Sequence, residues 1–446
     1  MITARASFAG KRYCVLGLAR SGMAAVEALL ASGAQVTAWD RQEEPRAALA
    51  GRATLADPLE IDLAQFDGVV VSPGVPLNTH PLAARARSAG VPLIGDIELF
   101  AQARGELPPH KVIGITGTNG KSTTTALVAH ILHQARVPAL MGGNIGLPIL
   151  SQQPLPAGGV YVLELSSYQI DLTRSLACDA VALTNITPDH LDRYDGFADY
   201  AASKARLLAM QDAGQFAVLG CADAPTRAIE ATESARRAPG RVVCADLARW
   251  GAHQSEWASL QGPHNLQNAA IAAALVAELG LSADAIRAGL ASFTGLPHRM
   301  ERVAECSKIL FVNDSKATNP ASTAPALAAY PPNPNRRLHW ICGGLPKDDN
   351  LDECLPYIGN VARAYTIGEA GPLFADLLSP HVPVERCEMM SEALQRALAH
   401  ARAGDVVLLS PACASFDQFR DYEARGAMFR GLVAGLCSTG HGRGAA

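Results

Sequence analysis

The run Gly114-Ile-Thr-Gly-Thr-Asn-Gly-Lys-Ser-Thr123 limits the fold more than any other stretch of the chain. It follows the apolar segment Lys111–Thr116, which reads as a strand. It leads into a helical segment reaching about Ala135, where Leu127, Val128, Ile131 and Leu132 form one apolar stripe. A glycine loop between a strand and a helix belongs to a parallel α/β sheet. Its backbone N–H groups and the helix N-terminus favour anionic oxygens. The loop comprises Gly117, Thr118, Asn119, Gly120, Lys121, Ser122 and Thr123. Lys121 is spaced to reach β- and γ-phosphates, and the Ser122 hydroxyl to bind Mg²⁺. The general pattern wants glycine where Ile115 stands, whereas Gly117 lies inside the loop. A plain strand–helix turn is the alternative; Gly-Lys-Ser in this setting predicts ATP binding.

The same alternation runs through the chain. Tyr13–Gly17 leads into Ser21–Ala31 and then Gln35–Asp40, and Val69–Ser72 ends at Pro73-Gly74. Further strands are expected at Val160–Leu165, Ala180–Asn185, Ile309–Asn313, Leu338–Cys342 and Val406–Ser410. Such sheets place ligands beyond the carboxyl ends of their strands. The charged, proline-bearing stretch Arg104–His110 and the stretch Thr294–Arg299 read as boundaries. They predict three domains, 1–105, 106–297 and 298–446, in the 446-residue chain. The tail Ser438–Ala446 reads as frayed.

Composition removes several functions. With 38 Lys+Arg against 42 Asp+Glu the net charge is −4, so the basic excess of a nucleic-acid binder is absent. Hydrophobic residues make up 49% of the chain, which excludes a disordered one. No apolar run is long enough for a membrane helix, since Ala269–Ala277 stops at Glu278. No secretory signal is visible, so no membrane insertion and a cytoplasmic location are expected. The ten cysteines contain no C-x-x-C pair and read as buried hydrophobes of a reducing compartment, with zinc improbable.

Other polar groups fall at strand ends. Gly17-Leu-Ala-Arg-Ser-Gly22 follows a strand and Asp40 closes the next, as in a dinucleotide fold, but Ala19 replaces the middle glycine. A tight turn and a nucleotide site both fit; in a site, Arg20 and Ser21 suit a diphosphate and Asp40 a ribose or base edge. Glu164 ends an apolar strand, where an unpaired acid is costly unless a metal binds it. Asp189-His190-Leu-Asp192 follows another strand; alone, either acid fits a helix cap and His190 a surface histidine, but beside the phosphate loop the set favours Mg²⁺. In the predicted helix Phe197–Met210, Lys204 shares the face of Phe197, Ala201 and Leu208. A lysine there either snorkels to water or serves a reacting or metal centre, and the pattern leaves both open. Lys316, Thr318, Lys347 and Ser415 put cations and hydroxyls at strand ends, which suits a small dicarboxylate.

Taken together, Thr116–Ser122, Gly142-Gly-Asn-Ile-Gly146, Glu164-Leu-Ser-Ser-Tyr-Gln169, Asp189–Arg193, Gly295-Leu-Pro-His-Arg299 and Asn313-Asp-Ser-Lys-Ala-Thr-Asn319 resemble the Mur ligases of peptidoglycan synthesis. Gly95-Asp-Ile-Glu-Leu-Phe100 and Leu409–Phe419 resemble the branch that adds D-glutamate. The resemblance runs from Gly17 to about Phe429. It implies a Rossmann-like N-terminal domain for the UDP of the substrate, a P-loop ATP-binding central domain and a Rossmann-like C-terminal domain for the amino acid. The implied activity is ATP-dependent ligation of D-glutamate to UDP-N-acetylmuramoyl-L-alanine through an acyl phosphate, by a monomer. By the same resemblance, Lys121 holds phosphates, Ser122 and Glu164 hold one Mg²⁺, and carbamylated Lys204 with His190 holds a second. Asn268, Arg299 and Asp314 bind ATP, and Asn144 contacts substrate or phosphates. Lys316, Thr318, Lys347, Ser415, Phe416 and Tyr422 take D-glutamate. Arg20, Ser21, Asp40, Arg41 and Gly74 take UDP. The Leu345-Pro346 pair departs from the family's more polar loop, and Arg41 stands where a small hydroxyl residue occurs.

Competing classes make different demands. A nicotinamide oxidoreductase would use the first glycine turn, against which Ala19 and the ATP loop speak. A nucleotide-switch protein would hydrolyse ATP without an acceptor. Another Mur ligase, or an amide ligase like folylpolyglutamate synthase, would differ in the amino acid it accepts.

Overall fold

The computed structural model describes residues 1–347 and 349–440. Its strands form three sheets, of five, six and six strands. In the first, the order is Thr54–Leu55, Gln35–Trp39, Arg12–Leu16, Gly68–Val71, Leu93–Ile94, all parallel. In the second it is Val242–Cys244, Phe216–Leu219, Ala180–Leu183, His110–Thr116, Gly159–Glu164, Ala139–Gly143, again all parallel. In the third it is Glu301–Cys306, Ile309–Asn313, Val406–Leu409, Leu338–Gly343, Val361–Ile367, Val384–Glu388. There only Glu301–Cys306 runs antiparallel to its neighbour. Fully buried central strands such as Gly68–Val71, Gly159–Glu164 and Val406–Leu409 explain the continuous apolar runs of the sequence.

The chain divides into two compact units, Met1–Leu247 with Gln267–Gly289, and Ala248–Leu266 with Leu290 onward. The first unit holds the first two sheets, whose cores merge into one buried cluster reaching from Ile2 to Val242. The motif Gly95–Phe100 fastens them together. Glu98 Oε2 accepts from the Arg174 N–H at 2.7 Å and the Ser175 N–H at 2.9 Å, and Oε1 from the Ser175 hydroxyl at 2.7 Å. The Gly95 N–H donates to the Leu172 carbonyl, and the Phe100 ring meets Tyr161 edge-on.

Cysteine usage corrects the expectation of ten unpaired buried thiols. Cys221 is bridged to Cys244 and Cys306 to Cys437, with Cα separations of 5.7 and 5.8 Å. The first bridge joins the carboxyl ends of adjacent parallel strands; the second ties the edge strand Glu301–Cys306 to the helix Tyr422–Gly440. Pairs 23 and 131 residues apart leave no spacing signature. The other six cysteines are buried. The C-terminal helix also continues through Gly440 where fraying is expected from Ser438; residues 441–446 lie outside the described residues. Among the described residues, no helix is long and apolar enough to cross a membrane.

Candidate active site

The phosphate loop sits where the order of the second sheet reverses. Strand His110–Thr116 has Ala180–Leu183 on one side and Gly159–Glu164 on the other, and its loop opens into the helix Lys121–Gln134. Backbone conformation explains two of the glycines. Gly117 has φ +139° and Gly120 φ +85°; a Cβ would overlap Thr184 Oγ1 at the first and Asn268 Oδ1 at the second. A collar from the neighbouring strand end fixes the loop. The Thr118 N–H donates to the Asn185 carbonyl and the Asn119 N–H to Asn185 Oδ1, both at 2.8 Å. Thr184 Oγ1 donates to the Asn119 carbonyl at 2.6 Å. Thr184 and Asn185 were outside the residues assigned a role from sequence, although a polar pair after an apolar strand is the signal that marks them.

Lys121 Nζ donates to the carbonyls of Gly117 and Thr118 at 2.9 and 2.7 Å, so its ammonium lies over the loop. Ser122 is buried at the first turn of the helix. Glu164, also buried, accepts from Asn144 Nδ2 through Oε1 at 2.9 Å, while its Oε2 has no hydrogen-bond partner. An orphaned carboxylate oxygen in a buried site is what a hard divalent cation satisfies, so the donor set fits Mg²⁺.

Lys204 lies on the buried face of the helix Phe197–Ala209, with Tyr200, Leu207 and Leu208, and is 2% exposed. Its Nζ donates to the Gly117 carbonyl at 2.9 Å and stands 4.6 Å from the centre of the Tyr200 ring. Burial, reinforced by the nearby charge of Lys121, pushes this amine well below the ordinary lysine range; Asp189, Asp171 and Glu164 oppose the shift. Lys204, Lys121 and Glu164 are therefore brought together around one loop. His190 is placed differently: its side chain is half exposed, with the ring 5.2 Å from that of Tyr168 and Nε2 3.5 Å from Asp189.

Around the first glycine turn, Asp40 accepts from the Leu18 N–H at 2.6 Å and the Gln42 N–H at 2.9 Å, so it shapes its own loop. Gly17, at φ +87°, packs against Ser72, whose hydroxyl donates to the Gly17 carbonyl at 2.7 Å. Arg20 donates to the Gly146 carbonyl at 2.6 Å, and Arg193 reaches back to the carbonyls of Gly74 and Val75. Arg41 is exposed and Ser21 half-buried. Both sheets of the first unit thus present their loops to one another.

Asn268 is buried beside Gly120 and accepts from Thr124 Oγ1 at 3.2 Å. Arg299 and Asp314 belong to the second unit. Asp314 accepts from Ser410 Oγ at 2.8 Å and the Met300 N–H at 3.1 Å; burial raises its carboxyl to about 7 against these bonds and the Arg299 charge. Loops after Asn313, Gly343 and Leu409 leave neighbouring strands of the third sheet. They carry Lys316 and Thr318, Lys347, and Ser415 with Phe416. Lys316 Nζ lies 4.0 Å from the centre of the Tyr422 ring. Ser415 is buried, while Lys347 and Phe416 are exposed. Leu345 and Ala414 exchange backbone hydrogen bonds at 3.0 and 2.9 Å, so the Leu345-Pro346 departure still leaves the second loop fastened to the third.

Models of Mur ligase domains match three stretches of this chain. They describe a MurD-like N-terminal domain over residues 11–95, a middle domain over 115–243 and a glutamate ligase domain over 298–413. A UDP-N-acetylmuramoylalanine--D-glutamate ligase of Novosphingobium aromaticivorans is 68% identical over 98% of this chain and 97% of its own. The chain belongs to the Mur ligase family. A ligase of the same name from Sphingopyxis alaskensis is 61% identical over 98% of this chain and its whole length. Among solved structures, MurF from Acinetobacter baumannii superposes with a TM-score of 0.60 at 16% identity, covering 97% of this chain and 92% of that one. That likeness places the three-sheet architecture among the folds of Mur ligases.

Proposed function

We propose that this chain is an ATP-dependent ligase that joins D-glutamate to UDP-N-acetylmuramoyl-L-alanine in peptidoglycan precursor synthesis. The observation that carries the reading is the 68% identity, over nearly the whole of both chains, to a ligase of that name. The cluster of half-buried Lys121 with buried Glu164 and Lys204 at a phosphate loop supports it.

In this reading residues 1–105 take the UDP precursor through Arg20, Ser21, Asp40, Arg41 and Gly74, with Asn144 contributing from beyond that range. Residues 106–297 take ATP through the loop Gly117–Thr123 and Asn268, joined by Arg299 and Asp314. Residues 298–446 take D-glutamate through Lys316, Thr318, Lys347, Ser415, Phe416 and Tyr422. The alanyl carboxylate attacks the γ-phosphorus, ADP leaves, and the carbonyl acquires a phosphate leaving group. The free amine of D-glutamate then attacks that carbonyl, phosphate departs with its C–O electron pair, and the nitrogen releases a proton.

The chain's part is to place anions together and shed water. Lys121 holds the β- and γ-phosphates. Ser122 and Glu164 would hold one Mg²⁺, and carbamylated Lys204 with His190 a second; the metal when bound neutralises phosphate charge. Asn144 steers Glu164 by occupying Oε1 and leaving Oε2 to the cation. A neutral Lys204 amine is the form that adds CO₂, forming an N–C bond and losing a proton, and burial favours that form. The protein is read as monomeric and cytoplasmic, in the compartment that supplies ATP.

Phosphate release from UDP-N-acetylmuramoyl-L-alanine, ATP and Mg²⁺ tests the assignment when the added amino acid is varied. Release should depend strongly on D-glutamate. Equal rates without an amino acid, or a clear preference for another one, would overturn it.

A further inference from the structure

Arg425 is 1% exposed, on the helix Tyr422–Gly440, beneath the three loops that leave the centre of the third sheet. Its side-chain hydrogen bonds all go to two of those loops. Nε donates to Ser315 Oγ at 3.0 Å and Nη2 to the Ser315 carbonyl at 2.8 Å. Nη2 also donates to the Cys413 carbonyl and Nη1 to the Ala414 carbonyl, both at 3.0 Å. The loop after Gly343 closes over the same group: a Cβ on Gly344 would stand 3.1 Å from Nη1. Ser315 precedes Lys316, Ala414 precedes Ser415, and Gly344 lies three residues before Lys347.

A buried guanidinium is ordinarily matched by a carboxylate. Here no carboxylate pairs with Arg425 among the described residues, and carbonyl and hydroxyl oxygens take its protons instead. Asp417 acts on it only at longer range, and its Oδ2 accepts from the Glu369 N–H. Among the described residues, then, the positive charge beneath the three loops has no carboxylate paired with it, and an anionic ligand above it would balance it. Lysine could not reproduce the arrangement, because one ammonium lacks the planar fork that reaches three carbonyls and a hydroxyl at once.

We infer that Arg425 is the positioning residue of the amino-acid site, locking the loops of Lys316, Lys347 and Ser415 in one geometry and selecting for an amino acid with a second carboxylate. The inference rests on the proposed assignment of those loops to D-glutamate. Arg425 acts through the loops and is not in contact with the reacting atoms.

The test uses the full chain and three variants, Arg425→Lys, Arg425→Met and Arg425→Ala, with phosphate release followed against each substrate in turn. Circular dichroism and thermal unfolding report whether each variant is folded. In Arg425→Lys the KM for D-glutamate should rise about tenfold or more, while those for ATP and the UDP precursor stay within about twofold. Millimolar guanidinium chloride should restore part of the D-glutamate affinity of Arg425→Ala and do nothing for Arg425→Met, whose side chain fills the space. A folded Lys variant with unchanged KM for D-glutamate would overturn the inference. So would a parallel loss for all three substrates, which marks a purely structural role. The unmodified enzyme is the separate control: if its phosphate release ignores D-glutamate, the functional assignment itself fails and the inference falls with it.

Discussion

A lysine in water holds its proton until strongly basic pH; Lys204, buried against Lys121 and the Gly117 carbonyl, does not. At 2% exposure it does not snorkel, since a snorkelling lysine would carry its charge to solvent. Lys204→Ala should abolish phosphate release, with partial rescue by short carboxylates that occupy the emptied space; unchanged turnover would refute a metal role. Asp96 is the opposite case, a fully buried carboxyl that burial raises to about 6 against weaker hydrogen-bonding contributions from the Ile97 and Asp96 N–H groups, Gln169 and Ser21. The native chain keeps this proton up to about pH 6, whereas the unfolded chain loses it near pH 4. Its contribution to stability therefore falls as pH climbs between those values and stays low above them. Asp96→Asn should remove that slope, leaving the variant more stable above pH 6 by on the order of 3 kcal/mol and about equal below pH 4. Thermal unfolding across pH decides it, and parallel curves would rule it out. The burial of Asp96 cannot be read from its neighbours in sequence, because it comes from packing against distant segments.

At the level of elements, the phosphate loop is specified twice, once by glycine conformation and once by the collar of Thr184 and Asn185. Gly120→Ala would place a Cβ against Asn268 at a φ of +85°. Nucleotide affinity should fall by at least about tenfold while the unfolding midpoint moves little, as strain of roughly 1–3 kcal/mol at one loop residue implies. Calorimetric titration with an ATP analogue measures this, and wild-type affinity would show that the loop relaxes freely. Burial alone did not make a strand legible: Phe216–Leu219, fully buried, and Val361–Ile367, mostly buried, are absent from the expected set. Ile309–Asn313 coincides with its expected span, and the other expected strands agree to within a residue or two at their ends. Glu301–Cys306 and Val384–Glu388 escaped because edge strands face solvent and mix exposed polar residues with few apolar ones. Ala139–Gly143 escaped because its Met-Gly-Gly ending reads as a turn.

For the whole molecule, parallel sheets were readable from the β–α rhythm, but the fusion of the first two into one unit was not. The motif Gly95–Phe100 was visible as a family mark and silent about its task, because its partners Leu172, Arg174 and Ser175 lie some seventy to eighty residues away. Glu98→Ala removes a buried acceptor of three hydrogen bonds from that segment and should lower stability by about 2 kcal/mol, with Glu98→Gln milder. Urea unfolding of the full chain reports it, and an unshifted midpoint would show that the strap is idle.

That strap, with the bonds from Arg20 to Gly146 and from Arg193 to Gly74, also holds the glycine turn at Gly17 and the carboxylate of Glu164 in one compact frame. Under the proposed assignment the two mark the ends of a single precursor, with the diphosphate at one and the alanyl carboxylate at the other. The frame then works as a ruler. A precursor lacking the alanyl residue, or already extended by another amino acid, presents its carboxylate short of the mark or past it, and is turned away by length before its chemistry is consulted.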